Sequence, residues 1–78
     1  MFNETAFAEF VKGLTEEKKA SPYNLTIEFS TSAEFLPEKL KILAQFNTEK
    51  YVWKVCYCTT CAEDDPDYPF HVELIEWS

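Results

Sequence analysis

The chain has 78 residues, enough for one small domain, and 46% of them are hydrophobic and 17% aromatic. This composition excludes an intrinsically disordered chain, because bulky apolar side chains are available to build a core. The net charge of −7 and the complete absence of arginine argue against direct nucleic-acid binding, which needs a basic face. We predict a single domain spanning residues 1–78.

The first predicted element is a helix from Glu4 to Lys19, capped by Asn3 or Thr5. Its apolar residues recur at helical spacing and form one stripe: Phe7, Phe10, Val11 and Leu14. Gly13 weakens this helix by about 1 kcal/mol relative to alanine, and either permits close packing or is simply tolerated. Ser21-Pro22 ends the helix.

A strand is predicted from Tyr23 to Ser30, where apolar Leu25, Ile27 and Phe29 alternate with polar residues. The polar residues 31–34 then indicate a loop. Residues 37–46 fit two patterns. Pro37 and the spacing of Leu36, Leu40 and Leu43 favour a helix, whereas Leu40, Ile42, Ala44 and Phe46 also alternate as in a strand. We predict the helix, because helix-forming residues dominate and β-branched residues are scarce.

Residues 47–50 form a predicted turn, and Tyr51 to Cys58 gives the clearest strand pattern of the chain. An acidic loop from Thr59 to Pro69 leads into a closing strand, Phe70 to Trp77, with Phe70, Val72 and Leu74 on one face. An antiparallel hairpin of these two strands is expected. The predicted fold class is α+β, with a small antiparallel sheet of about three strands packed by one or two helices.

Three cysteines and the single histidine form a candidate metal site: Cys56, Cys58, Cys61 and His71. Cys56 and Cys58 point to the same side of a strand, and His71 shares that outer face if Tyr51, Trp53, Val55 and Tyr57 face the core. Three thiolates and one imidazole suit structural zinc, but the C-x-C-x-x-C spacing lacks the second knuckle of typical sites. The alternative is that no cofactor is bound and the reduced cysteines pack as small apolar groups. If a disulfide forms, Cys61 is one partner.

The residues do not predict an enzyme. With one histidine and one glycine, the chain lacks a phosphate-binding loop and a second imidazole base. The acidic surroundings of Cys61 are expected to raise its thiol pKa, which opposes activation of a nucleophile. The carboxylate oxygens of the acidic run from Glu63 to Tyr68 could bind calcium, but the run lacks the glycine and the spaced ligands of an EF-hand loop.

Negative charge is concentrated at the end of the sequence. Residues 61–78 contain six acidic residues and no basic residue. A surface of this kind imitates a row of phosphates and attracts a basic partner over long range. We therefore predict a protein–protein interaction surface composed of eight residues: Glu63, Asp64, Asp65, Asp67, Tyr68, Glu73, Glu76 and Trp77. The alternative for such a charge run is a merely solvated loop.

The segment Tyr68-Pro69-Phe70-His71-Val72 resembles the C-terminal segment of type I-E anti-CRISPR proteins. These are small, often acidic phage proteins that bind CRISPR effector complexes, some of them by DNA mimicry. The resemblance covers five residues and implies a phage origin and inhibition of a Cascade-type surveillance complex. It implies no role for any single residue.

Three hypotheses for function follow. The first is a non-enzymatic inhibitor that binds a basic protein surface. The second is a zinc-stabilised structural or adaptor module within a larger assembly. The third is a fragment that completes a partner's core through exposed aromatic residues such as Trp53 and Trp77. Because neither a signal peptide nor a membrane span is evident in the sequence, a cytoplasmic location is expected.

Overall fold

The computed structural model describes residues 1–21 and 25–77. These residues form three helices and three strands in the order α1 (Glu4–Ala20), β1 (Ile27–Thr31), α2 (Leu36–Gln45), β2 (Tyr51–Tyr57), α3 (Thr59–Asp64) and β3 (Phe70–Glu76). The predicted α+β class is confirmed. No helix within the described ranges is both long enough and apolar enough to cross a lipid bilayer.

The three strands form one antiparallel sheet in the order β1-β3-β2, so the last strand of the chain lies in the centre. β2 and β3 form the predicted hairpin, in which Trp53 lies opposite Leu74 and Cys56 lies opposite His71. β1 pairs with the other edge of β3, with Ser30 opposite His71. Every residue of β3 therefore has a neighbour on one or both sides, which places His71 between Ser30 and Cys56.

α1 begins and ends as its sequence predicts. The Asn3 side chain caps it by accepting a hydrogen bond from the Ala6 amide at 3.0 Å. Of the predicted apolar stripe, Val11 is fully buried, while Phe7 and Leu14 pack against the core from its edge. Phe10 differs, since about half of its side chain is exposed, although its ring meets Phe29 edge-on at 5.2 Å.

Gly13 lies in open space on α1, since a methyl group added at its Cα would meet no atom within 4 Å. The glycine is therefore tolerated, and close packing does not require it. We predict that Gly13→Ala raises the free energy of unfolding by about 1 kcal/mol, because alanine has the higher helix propensity. Thermal denaturation should show a melting temperature about 4–8 °C higher. Gly13→Ser should give a smaller gain, and a destabilised Gly13→Ala variant would contradict the packing described.

α2 confirms the helix predicted for the ambiguous segment, with a different buried face. Lys39, Ile42 and Leu43 are buried, whereas Leu40, predicted on the apolar side, is 42% exposed. The predicted stripe is wrong at this position, because the face of α2 that is buried carries Lys39, Ile42 and Leu43 instead of Leu40. Pro37 lies in the first turn, as predicted.

β1 is shifted along the chain relative to its prediction. It begins at Ile27 and includes Thr31, which the sequence analysis assigned to a loop. Tyr23 and Asn24 of the predicted strand lie outside the described residues. Thr31 is buried and its hydroxyl accepts a hydrogen bond from the Lys39 ammonium at 2.9 Å, so a polar contact holds this end of the strand against α2. Burial lowers the pKa of Lys39, and the charge of Glu34 opposes that shift.

The hydrophobic core lies between the sheet and the helices α1 and α2. Its buried members come from both helices and all three strands: Val11, Ile27, Leu43, Tyr51, Trp53, Val72 and Leu74. Trp53 is 6% exposed, which removes it as an exposed aromatic for a partner's core. Tyr57, predicted to face the core, is largely exposed and instead packs edge-on against Phe70 at the end of the hairpin.

Candidate functional site

The predicted acidic loop contains a short helix, α3, so the prediction of a loop throughout residues 59–69 is wrong. Cys58, predicted as the last residue of a strand, lies after β2 and caps α3. The Cys58 amide donates to the Pro69 carbonyl at 2.8 Å, and this hydrogen bond joins the two ends of the segment between β2 and β3. A further turn follows α3, because the Asp65 side chain accepts a hydrogen bond from the Asp67 amide at 3.2 Å. The acidic residues are thus held on an ordered segment.

α3 lies beside the face of the sheet opposite to α1 and α2. This follows from Ser30, which points away from the core and whose hydroxyl donates to the Cys61 sulfur at 3.6 Å. An open cleft of about 430 Å³ lies between β1 and the segment of α3, lined by Ser30, Cys61, Asp64, Asp65 and Tyr68. Two carboxylates and a half-exposed tyrosine ring therefore converge on one concave site.

The eight residues predicted to bind a partner do not form one surface. Glu63, Asp64, Asp65, Asp67 and Tyr68 lie together on and after α3. Glu76 and Trp77 lie at the other end of β3, about 20 Å away at the usual rise per residue. There Glu76 forms an ion pair of 3.6 Å with Lys50. Glu73 lies between these ends on the outer face of the sheet, beside His71.

His71 contacts carboxylates rather than thiols. Its Nε2 atom lies 3.5 Å from Glu28 and 3.3 Å from Glu73, which oppose each other on β1 and β3. In the part of the chain that the structure describes, these three residues are the group whose candidate ligand atoms all lie within 4.8 Å. The cysteine sulfurs do not belong to this group. The zinc site of Cys56, Cys58, Cys61 and His71 is thus not assembled around His71 here, and it stays a prediction.

Cys58 and Cys61, in contrast, are brought together by α3. The Cys58 sulfur accepts a hydrogen bond from the Cys61 amide at 3.4 Å. That backbone hydrogen bond, with a further one between the two thiols, lowers the pKa of Cys58. At Cys61 the Ser30 hydrogen bond is the largest influence and lowers the pKa, but Cys58, burial and the charge of Asp64 together outweigh it and raise the pKa. The pKa of Cys61 is raised in the predicted direction, but the charge of Asp64, which was the predicted cause, is the smallest of the influences that raise it.

The lysines lie mostly on the opposite side of the molecule. Five of the seven belong to the helices α1 and α2, which cover the core face of the sheet: Lys12, Lys18, Lys19, Lys39 and Lys41. On the outer face, Lys54 lies opposite Glu73 in the hairpin. These two helices also carry five acids, so their side of the sheet is neutral overall: Glu4, Glu9, Glu16, Glu17 and Glu38. The other side carries α3 and its unbalanced acids.

Sequence reasoning missed two residues of this region, Ser30 and Glu28. Both alternate with apolar residues on β1, which signals an outward direction but not what they face. Their contacts depend on the strand order β1-β3-β2, which pairs β1 with a strand some forty residues later in the chain. Comparison with protein-family models, with curated proteins and with solved structures finds no match to this chain.

Proposed function

We propose that this protein is a small non-enzymatic inhibitor that binds a basic, nucleic-acid-handling surface of a host defence complex through its acidic segment. The acidic segment is defined as residues 58–69, which contain Glu63, Asp64, Asp65 and Asp67 and no base. The observation that carries the proposal is the placement of this segment on the side of the sheet away from α1 and α2, where most lysines lie.

The separation of charge favours a directed interaction. A protein with mixed surface charge presents no preferred side, whereas this one would approach a basic groove with α3 first. The α1–α2 side carries five lysines and five acids, so it offers a basic surface no comparable attraction. The charge distribution therefore supports binding of a positive surface in one orientation.

The cleft offers a place for a cationic side chain. Asp64 and Asp65 supply carboxylate oxygens, and the ring of Tyr68, which is 47% exposed, lies beside them. A lysine or arginine of the partner would gain charge-assisted hydrogen bonds and contact with an aromatic face. Because the segment is closed by the hydrogen bond between Cys58 and Pro69, little ordering is needed when the partner binds.

The resemblance of residues 68–72 to type I-E anti-CRISPR proteins suggests the partner. A Cascade-type complex binds nucleic acid along basic surfaces, which an ordered row of carboxylates would occupy. The proposed site of action is the cytoplasm of the host cell. No direct contact of this protein with nucleic acid and no membrane contact are part of the proposal.

The test is direct binding to a purified type I-E Cascade complex by interferometry, with target DNA as competitor. We expect binding at low ionic strength that weakens on the order of tenfold as salt is raised to several times the physiological concentration. Target DNA should displace the protein. Absence of binding at low salt would eliminate Cascade as the partner. An affinity that does not fall as the salt concentration rises would eliminate the acidic segment as the contact.

A further inference from the structure

Two of the three cysteines occupy positions i and i+3 of the turn that opens α3, with the sequence Cys58-Thr59-Thr60-Cys61. We propose that Cys58 and Cys61 form a redox-active dithiol, which neutral or cationic disulfides oxidise to an intramolecular disulfide. This inference is independent of the partner proposed above, since it depends on the two thiols and their immediate surroundings.

The backbone already has the geometry that a disulfide needs. The Ala62 amide donates to the Cys58 carbonyl at 2.9 Å, so the turn from Cys58 onward is helical. Residues three apart in such a turn have Cα atoms about 5 Å apart. This lies inside the range of about 4.4–6.8 Å found in disulfides. Both cysteines are free thiols and partly accessible, so the bond can form without moving a secondary structure element.

Cys56 does not compete for this bond. It lies within β2, is exposed, and lies opposite His71 in the hairpin. The chain thus contains its own reference thiol, one with solvent access and without a second sulfur in the same turn.

The two thiols have different surroundings, and these indicate which of them attacks the external disulfide first. The Cys61 amide stabilises the thiolate of Cys58 through the 3.4 Å hydrogen bond, so Cys58 is the nucleophile. The Cys61 sulfur accepts a hydrogen bond from the Ser30 hydroxyl and lies in the cleft wall beside Asp64, whose carboxylate repels an anionic sulfur. Cys61 is therefore the second, resolving thiol.

The exchange proceeds in two steps. The Cys58 thiolate attacks one sulfur of an external disulfide, whose S–S bond breaks and releases one thiolate that takes a proton from water. Cys61 then loses its proton to solvent and attacks the Cys58 sulfur, which expels the second external thiolate. The protein loses two protons and two electrons, which together equal two hydrogen atoms, and the external disulfide is reduced to two thiols.

The carboxylates around the cleft select among disulfides. Asp64 and Asp65 line the wall beside Cys61, so an anionic disulfide is repelled as it approaches and a cationic one is attracted. Cystamine is a dication at neutral pH and oxidised glutathione a dianion, while hydroxyethyl disulfide is neutral. The expected order of rates is cystamine, then hydroxyethyl disulfide, then oxidised glutathione. The ratio of the first to the last should be about tenfold or more at low ionic strength and should shrink in high salt.

The experiment follows the intact mass of the reduced protein after addition of each of these three disulfides. Wild type and Cys56→Ser should both lose the mass of two hydrogen atoms through the Cys58–Cys61 bond. Cys61→Ser should stop at a mixed disulfide on Cys58. Cys58→Ser should react at residue 61 at least about tenfold more slowly than wild type reacts. Serine at position 58 retains a side chain that can cap α3, so the variant keeps its fold.

Several results would overturn the proposal. These are the lack of an intramolecular disulfide in wild type, an equal rate in Cys58→Ser and wild type, or attack at Cys56 ahead of Cys58. Equal rates with cystamine and oxidised glutathione at low salt would overturn the selectivity. The two proposals can fail separately. A protein that forms the Cys58–Cys61 disulfide without binding Cascade contradicts only the proposed function, and one that binds Cascade without forming the disulfide contradicts only this inference.

Discussion

Trp53→Ala is expected to remove a large part of the protein's free energy of unfolding. The indole is 6% exposed and reaches from β2 into the core, where it contacts residues of α1 and β1. Its ring meets Phe29 edge-on at 5.9 Å, and its Nε1–H donates to the Thr15 hydroxyl at 3.2 Å. Truncation of a buried tryptophan costs about 3–5 kcal/mol. Since single domains are stable by only about 5–15 kcal/mol, a chain of this size has little left after such a loss.

Urea denaturation followed by far-ultraviolet circular dichroism measures this effect. The matched control is Trp77→Ala, because Trp77 is 59% exposed at the end of β3. Its removal should change the free energy of unfolding by less than about 0.5 kcal/mol. A Trp53→Ala protein that keeps wild-type stability, or a Trp77→Ala protein that loses it, would contradict the assignment of the core.

Trp53→Phe separates packing from hydrogen bonding at the same position. Phenylalanine keeps an aromatic ring near Phe29 but cannot donate to Thr15. Thr15 does not become unpaired, because its hydroxyl also donates to the Val11 carbonyl at 2.8 Å. The loss should therefore be intermediate, about 1–2 kcal/mol, which combines the smaller ring and one lost hydrogen bond.

The elements that the sequence predicts well are those with strong local patterns. Alternation from Tyr51 onward and from Phe70 onward predicts the hairpin, because side chains on a strand point to opposite faces in turn. The cap at Asn3 and the end near Ser21 predict α1 in the same way. The buried face of α2 was partly wrong, because Leu36 and Leu40 fit the helical spacing as well as Lys39 and Ile42 do. Lysine is rarely buried, and the hydrogen bonds that the Lys39 ammonium donates to Thr31 and Ser32 exist only in the folded chain.

The candidate site is less predictable because it depends on distant segments. The six residues of α3 are too few for a hydrophobic period to show, and a cysteine cap is not among the usual helix-start signals. The contact of Ser30 with Cys61 joins residues 31 positions apart in sequence. Charge counts along the sequence correctly locate the acidic residues but treat Glu76 and Trp77 as neighbours of Asp64. β3 in fact carries them to the far end of the sheet.

Reversing charge on the acidic segment is expected to abolish binding of the proposed partner. The variant carries Glu63→Lys, Asp64→Lys and Asp67→Lys, and it leaves Asp65, whose side chain orders the following turn. Three attractive contacts become repulsive ones, and opposed like charges cost several kcal/mol in an interface. Affinity for a purified Cascade complex should fall at least about a hundredfold at low salt. The fold should persist, because lysine near the end of α3 suits the negative pole of the helix.

The matched control reverses three exposed acids on α1: Glu9, Glu16 and Glu17. Both triple variants change the net charge from −7 to −1, since each replaces three negative charges by three positive ones. If binding depends on net charge alone, the two variants lose affinity equally, and the directed interaction is wrong. If binding depends on the side of the sheet that carries α3, the α1 variant binds within a fewfold of wild type. The comparison therefore tests the position of the charge rather than its amount.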